Sequence, residues 1–264
     1  MRIVIPVKWV PDTAGEKQID PSSLTVDRAA VASVLCPVNE FAIEEAMRIK
    51  EARGEDVETI VLIVGPEAAS PTAAKALSYG LDRAVLITDD AVAGSDALGT
   101  AQVLAAAIRT IGFDIVLFGN QSTDARTSLV PAAVAELLGV PSITYARRLE
   151  VGDGSLTADR EHEEGWDTVT APLPAVVSVV EAINEPRFPS FKGIMAAKSK
   201  PSEVWDLSKL DGLDVGLVGA GAARAIVTSA TPRPPKAAGT VVTDDGSGSA
   251  ATQLLDWMAE KKFV

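Results

Sequence analysis

The stretch with most chemical potential reads Gly119-Asn120-Gln121-Ser122-Thr123-Asp124-Ala125-Arg126-Thr127-Ser128. Small and hydroxyl residues before a helix leave backbone N–H groups open, and Arg126 adds a cation; the set suits a phosphate. A solvated, well-capped helix start is the alternative. Two further loops stand out. Trp9–Asp27 is long and polar, and loops of that length within a compact domain are usually functional. Cys36-Pro37-Val38-Asn39 precedes a helical pattern and reads as a ligand wall or as a simple cap. Cys36 has no base beside it and reads as packed rather than nucleophilic.

Later segments carry charge. Along a strand, Asp159, Glu161 and Glu163 share one face while Arg160, His162 and Glu164 share the other. That pattern fits a solvated hairpin edge or an ion pair with a partner chain. Arg187-Phe188-Pro189-Ser190-Phe191-Lys192-Gly193-Ile194-Met195, continued to Lys198 and Lys200, is basic and apolar without an acid. An apolar anchor ringed by cations suits docking to an acidic partner; a basic loop with its apolar residues turned inward is the other reading. Gly219-Ala220-Gly221-Ala222-Ala223-Arg224 imitates a dinucleotide fingerprint, but Thr231-Pro232-Arg233-Pro234-Pro235 follows too soon for a βαβ unit.

These residues need a scaffold, and the periodicity supplies one. Ile3–Val7, Thr59–Val64, Ala84–Ile87 and Phe113–Phe118 are short apolar runs, as expected of strands buried on both faces. Helical patterns alternate with them: from an N-cap at Asn39, from Ser70-Pro71 to Gly80, from Ser95-Asp96 to Gly112, and from Thr127 to Leu138. The expected fold is α/β, a parallel twisted sheet with helices on both faces. After Pro141 the pattern turns to antiparallel hairpin strands, Thr144–Val151 and Ser155–His162, then Trp166–Thr170 and Ala175–Val180. Periodicity fades from Glu185, and a Pro-, Gly- and Ser-rich tail leads to a last amphipathic helix, Ala251–Lys261. The expected division is an α/β nucleotide-binding domain over 1–184, a recognition loop over 185–200 and a C-terminal arm over 201–264 that packs on a partner.

Composition narrows the function. With 24 Lys+Arg against 36 Asp+Glu the formal charge is −12, a poor basis for nucleic-acid binding. A single cysteine removes an internal disulfide, and a single histidine removes a His pair for a metal. Charges, Gly or Pro interrupt each apolar run, so no membrane insertion is expected. The opening Met1–Lys8 reads as a strand rather than a signal peptide, and the expected location is cytoplasmic.

Several motifs together resemble one family, the β (small) subunit of electron transfer flavoprotein. They are Val7-Lys8-Trp9-Val10-Pro11-Asp12-Thr13, Asn39-Glu40-Phe41-Ala42-Ile43-Glu44-Glu45-Ala46 and Ala76-Leu77-Ser78-Tyr79-Gly80-Leu81-Asp82-Arg83-Ala84. The signature appears as Arg160-Glu161-His162-Glu163-Glu164-Gly165 with Leu173-Pro174-Ala175-Val176-Val177-Ser178. Most specific is Ile183-Asn184-Glu185-Pro186-Arg187 leading to Ile194-Met195-Ala196-Ala197-Lys198. The resemblance spans nearly the whole chain.

The resemblance implies an adenine nucleotide α-hydrolase-like fold and a heterodimer with a larger α subunit that holds most of the FAD. A structural AMP would lie in this subunit, walled by Pro6, Cys36, Pro37, Val38, Asn39, Val64 and the run from Gly119 through Leu129 and Val130. Thr13 would face the flavin. Phe191 would be the anchor for acyl-CoA dehydrogenases, within a partner surface of Arg187, Phe188, Ile194, Met195 and Lys198. Glu161 would pair with an arginine of the α subunit. Electrons would pass from dehydrogenases to a membrane quinone oxidoreductase, the chain having no substrate turnover of its own. The phosphate loop departs from the family's usual Asp-Gly-Asp-Thr, reading Asp124-Ala125-Arg126-Thr127, and Leu129 and Pro131 replace a frequent Gln and Gly. Two rival readings remain. One is a bifurcating flavoprotein with a second FAD in place of AMP. The other is a nucleotide hydrolase, which would want a Gly-rich loop where Lys8-Trp9-Val10-Pro11 stands.

Overall fold

The computed structural model describes residues 1–264 apart from 16–17, 29, 55, 232–233 and 235–237. Parts of the Trp9–Asp27 loop and of the Pro-rich tail therefore lie outside the described residues. Two compact units are present, Met1–Thr228 and Ser229–Val264.

The first unit runs β1 (Arg2–Pro6), β2 (Trp9–Pro11), β3 (Ser33–Leu35), α1 (Pro37–Arg53), β4 (Glu58–Val64), α2 (Ser70–Ser78), β5 (Arg83–Ile87), α3 (Ala97–Ile111), β6 (Ile115–Gly119) and α4 (Val130–Leu138). It continues with β7 (Ser142–Val151), β8 (Ser155–His162), β9 (Gly165–Pro172), β10 (Ala175–Val179), α5 (Phe191–Ala197) and β11 (Ser202–Trp205). Among the described residues, nine strands form the main sheet in the order β11-β5-β4-β1-β6-β10-β7-β8-β9. Pairing is parallel from β11 to β7 and antiparallel through β7, β8 and β9. The strand–helix alternation thus gives the parallel sheet expected of it.

Because side chains alternate across a strand, each buried strand feeds two cores. Ile3, Ile5, Val61, Ile63 and Leu117 pack with Ala42, Ile43, Ala46 and Met47 of α1 and Ala73, Ala76 and Leu77 of α2. Val4, Ile60, Leu62, Val116 and Phe118 pack on the other face with Val103, Leu104 and Ile108 of α3 and Val134 of α4. A layer of helices on each face leaves the strand ends as the place for a site.

Three local expectations shift. Asn39 does not cap α1, which starts at Pro37 after Cys36; proline tolerates the first turn because no acceptor exists there for its missing N–H. Ser70 is the first residue of α2 rather than its cap, and its hydroxyl donates to the Glu67 carbonyl. The segment read as coil after Glu185 contains α5, capped by the Ser190 hydroxyl accepting from the Gly193 N–H at 3.0 Å. The boundary expected at residue 184 also falls inside the compact unit, since β11 adds in parallel to β5 at the sheet edge. The pseudo-fingerprint at Gly219 is a short 3-10 turn over Ala220–Ala222, not a strand–helix junction.

The second unit contains α6 (Ser249–Glu260). Within it, the Trp257 and Phe263 rings lie 5.6 Å apart.

Candidate functional site

β1 exits beside both β4 and β6, and the chain direction away from β1 reverses between these neighbours. This is a topological switch point, the position at which open α/β sheets commonly place a ligand beyond their strand ends. Pro6 ends β1, Val64 ends β4 and Gly119 ends β6. Cys36 through Asn39 form the start of α1, and residues 120–129 link β6 to α4. Four segments distant in sequence therefore converge at one place.

Their contact is close. A β carbon on Gly119 would stand 2.7 Å from the Val38 carbonyl oxygen and 3.0 Å from Asn39 Nδ2. Only a residue without one permits that approach. Asn39 is buried in the first turn, and its Oδ1 accepts from the Lys8 N–H at 2.9 Å. Cys36 is fully buried with its Sγ 4.0 Å from Thr123 Oγ1, consistent with packing against the loop.

Asp124 organises the loop. Its side chain is only 2% exposed, and Lys8 Nζ approaches it at 2.8 Å and Arg28 Nη2 at 2.6 Å. Burial by itself would raise this carboxyl, but bonds from Lys8, Ser122 and Arg28 outweigh it and hold the group well below the usual carboxylate range. Two cations on one carboxylate leave a local excess of positive charge. Sequence reading missed Lys8 and Arg28, which stand 116 and 96 residues from Asp124; the only signal available was their position after β1.

Farther along, Arg126 and Ser128 adopt left-handed conformations, with φ of 50° and 52°. Strain of this kind gathers at functional sites, and alternating hands turn successive N–H groups toward one side, as in anion-binding nests. The N–H groups of Thr127 and Ser128 form no hydrogen bond among the described residues. The Arg126 side chain is exposed. Cations, hydroxyls and open N–H groups over a glycine-permitted approach fit a nucleotide phosphate. Thr13 lies exposed on the β2–β3 excursion, and the long first loop is partly this antiparallel ribbon.

A second feature lies at the segment after β10. Phe188 and Phe191 are 95% and 80% exposed, and Ile194 and Met195 are about half exposed. Lys198 is exposed beside them. Arg187, read as part of a cationic rim, is instead turned inward onto Glu44 and Glu51 of α1. Lys200 likewise donates to the Leu81 carbonyl. The rim thus keeps Lys192 and Lys198 as its exposed cations. Glu161 sits exposed on β8 opposite Trp166 of β9.

Comparison with known proteins accords with this geometry. The Electron transfer flavoprotein domain matches residues 23–210. The chain is 44% identical to electron transfer flavoprotein subunit beta of Mycobacterium tuberculosis strain H37Rv over 99% of both chains. It is 35% identical to the protein of the same name from Megasphaera elsdenii over the full length of both. It is also 33% identical, again over both full lengths, to the caffeyl-CoA reductase-Etf complex subunit CarD of Acetobacterium woodii. The chain belongs to the electron transfer flavoprotein β-subunit family. Among the described residues no helix is long and apolar enough to cross a membrane.

Proposed function

We propose that this family member works as a carrier subunit that pairs with an α subunit and holds a structural AMP at the β1–β6 switch point. The complex passes electrons from acyl-CoA and related dehydrogenases to a membrane quinone oxidoreductase in the cytoplasm. The observation that carries the reading is the Asp124 cluster: a loop braced by Lys8 and Arg28, with strained, donor-rich backbone beyond it.

This chain's own residues would do five things. Gly119 and the start of α1 would set the floor of the AMP site. Ser122, Thr123, Arg126 and the N–H groups near Thr127 and Ser128 would meet the phosphate, while Asn120, Gln121, Leu129 and Val130 complete the wall. Thr13 would line the edge of an FAD held mainly by the α subunit; bound flavin supplies one- and two-electron chemistry that no side chain here offers. Phe188, Phe191, Ile194 and Met195 would bury against a dehydrogenase, since so exposed an apolar patch marks an interaction surface. Glu161 would pair with a cation of the α subunit.

The full-length likeness to a subunit of a caffeyl-CoA reductase complex supports a second reading, in which a second FAD occupies the AMP position. Denaturing the purified heterodimer and separating the released nucleotides decides between them. One FAD and one AMP per heterodimer is the expected result. Two FAD without AMP would replace the first reading with the second. ATP turnover by the purified chain would point to a hydrolase instead.

A further inference from the structure

Phe188 and Phe191 are large apolar groups held in water, and something must keep them from folding inward. Arg187 immediately precedes Phe188. Its Nε donates to Glu44 Oε2 at 2.7 Å, and Nη2 donates to Glu44 Oε1 and Glu51 Oε2, each at 3.0 Å. Nη1 donates to Glu51 Oε1, and the Arg187 backbone N–H to Glu44 Oε2 at 3.2 Å. Glu44 and Glu51 are two helical turns apart on one face of α1. Glu44 is buried apart from this partner, so the fork is a fixed point rather than a loose surface pair.

We propose that Arg187 is a positioning residue for docking: locked across Glu44 and Glu51, it sets where Phe188 and Phe191 project and does not itself touch the partner. This inference rests on the docking reading above.

Three observations carry it. First, two carboxylates face one guanidinium, so the cluster presents no positive charge to an acidic partner. Second, the chain from Arg187 to Phe191 is short and stiff. Pro189 fixes its own φ, and Ser190 caps α5, whose first residue is Phe191. Third, the neighbouring ends are tethered as well. Asn184 Nδ2 donates to the Phe41 carbonyl and to Glu45 Oε2 at 3.0 Å each. Beyond Phe191, Gly193 lies against the Ser78 carbonyl of α2, leaving no room for a β carbon. A segment fixed in this way pays its ordering entropy on folding rather than on docking, which favours binding without adding a contact.

The test uses the heterodimer and a purified acyl-CoA dehydrogenase reduced by its acyl-CoA substrate. Arg187→Gln should raise the half-saturating carrier concentration roughly tenfold, with a smaller effect on the maximal rate. FAD content should stay at the wild-type level. Arg187→Lys should not restore docking, because an ammonium cannot span both carboxylates as a fork does. Glu51→Gln keeps the Glu44 half of the fork and should give a smaller change in the same direction, which guards against a folding defect in the arginine variants.

The deciding comparison is a double variant. If Arg187 acts through the aromatic pair, Arg187→Gln adds little to Phe191→Ala. Full additivity, or half-saturation unchanged in Arg187→Gln while Phe191→Ala impairs it, would overturn the positioning role. Unimpaired docking in Phe191→Ala would overturn the docking reading itself.

Discussion

Gly119 and Val38 touch so closely that a β carbon on the first would lie 2.7 Å from the carbonyl oxygen of the second. The end of β6 and the first turn of α1 are thereby pressed together under the Asp124 loop. Gly119→Ala should push them apart at a cost of about 1–3 kcal/mol. For a chain of this size that lowers Tm by roughly 2–4 °C per kcal/mol. The heterodimer should also lose nucleotide on purification, measured by the amount released on denaturation. A variant with full nucleotide content and wild-type Tm would mean that the loop yields without consequence.

Asp124→Asn keeps the shape of the loop and removes its charge. Lys8 and Arg28 stay solvated on their outer sides, at 40% and 37% exposure. The loss at neutral pH should therefore be modest, about 1–3 kcal/mol. Since the folded carboxyl is depressed below its ordinary 3.8, its contribution is complete well above that value and fades as the pH falls below it. Urea unfolding of both proteins at neutral pH and at about pH 3 checks the sign: the gap should narrow in acid. A gap that stays constant would show that ionisation of Asp124 contributes nothing.

Arg126→Gly separates charge from backbone. The arginine sits at φ 50°, a conformation that costs an ordinary residue roughly 1–2 kcal/mol and glycine almost nothing. The nucleotide-free chain should gain up to about 1 kcal/mol in denaturant unfolding, part of the relief being offset by glycine's greater unfolded entropy. AMP retention by the heterodimer should fall in the same variant. Undiminished retention would leave the backbone N–H groups and Lys8 as sufficient.

Glu161 is exposed on β8, and its carboxylate has no ion-pair partner among the described residues. Glu161→Gln should leave the heterodimer intact by size-exclusion chromatography while altering the rate at which reduced carrier passes electrons on, followed in a stopped flow. Dissociation of the heterodimer in this variant would assign the residue to assembly instead.

Much of the scaffold was legible from residue order. Ile3–Val7, Thr59–Val64 and Ala84–Ile87 each became strands within about a residue of the expected bounds, because buried parallel strands need continuous apolar runs. Asp96 was readable as a cap since its side chain accepts from the Gly99 N–H three residues on. The composition of the Gly119–Ser128 loop and its place before a helix were equally local. So was the exposure of Phe188 and Phe191 as one of two readings.

Charge pairing at the two candidate surfaces was not local. Lys8 and Arg28 meet Asp124 only because β1 and β6 lie side by side, and Arg187 meets Glu44 and Glu51 across 143 and 136 residues. A run of four cations around two phenylalanines looks like a docking rim until packing shows which cations already have partners. Sequence alone determined the alternating elements and the family, and it pointed to the strand ends for the candidate site, since propensity and periodicity act over a few residues. Tertiary structure decided which charges neutralise one another, because that depends on distances fixed only when the sheet closes its long-range contacts.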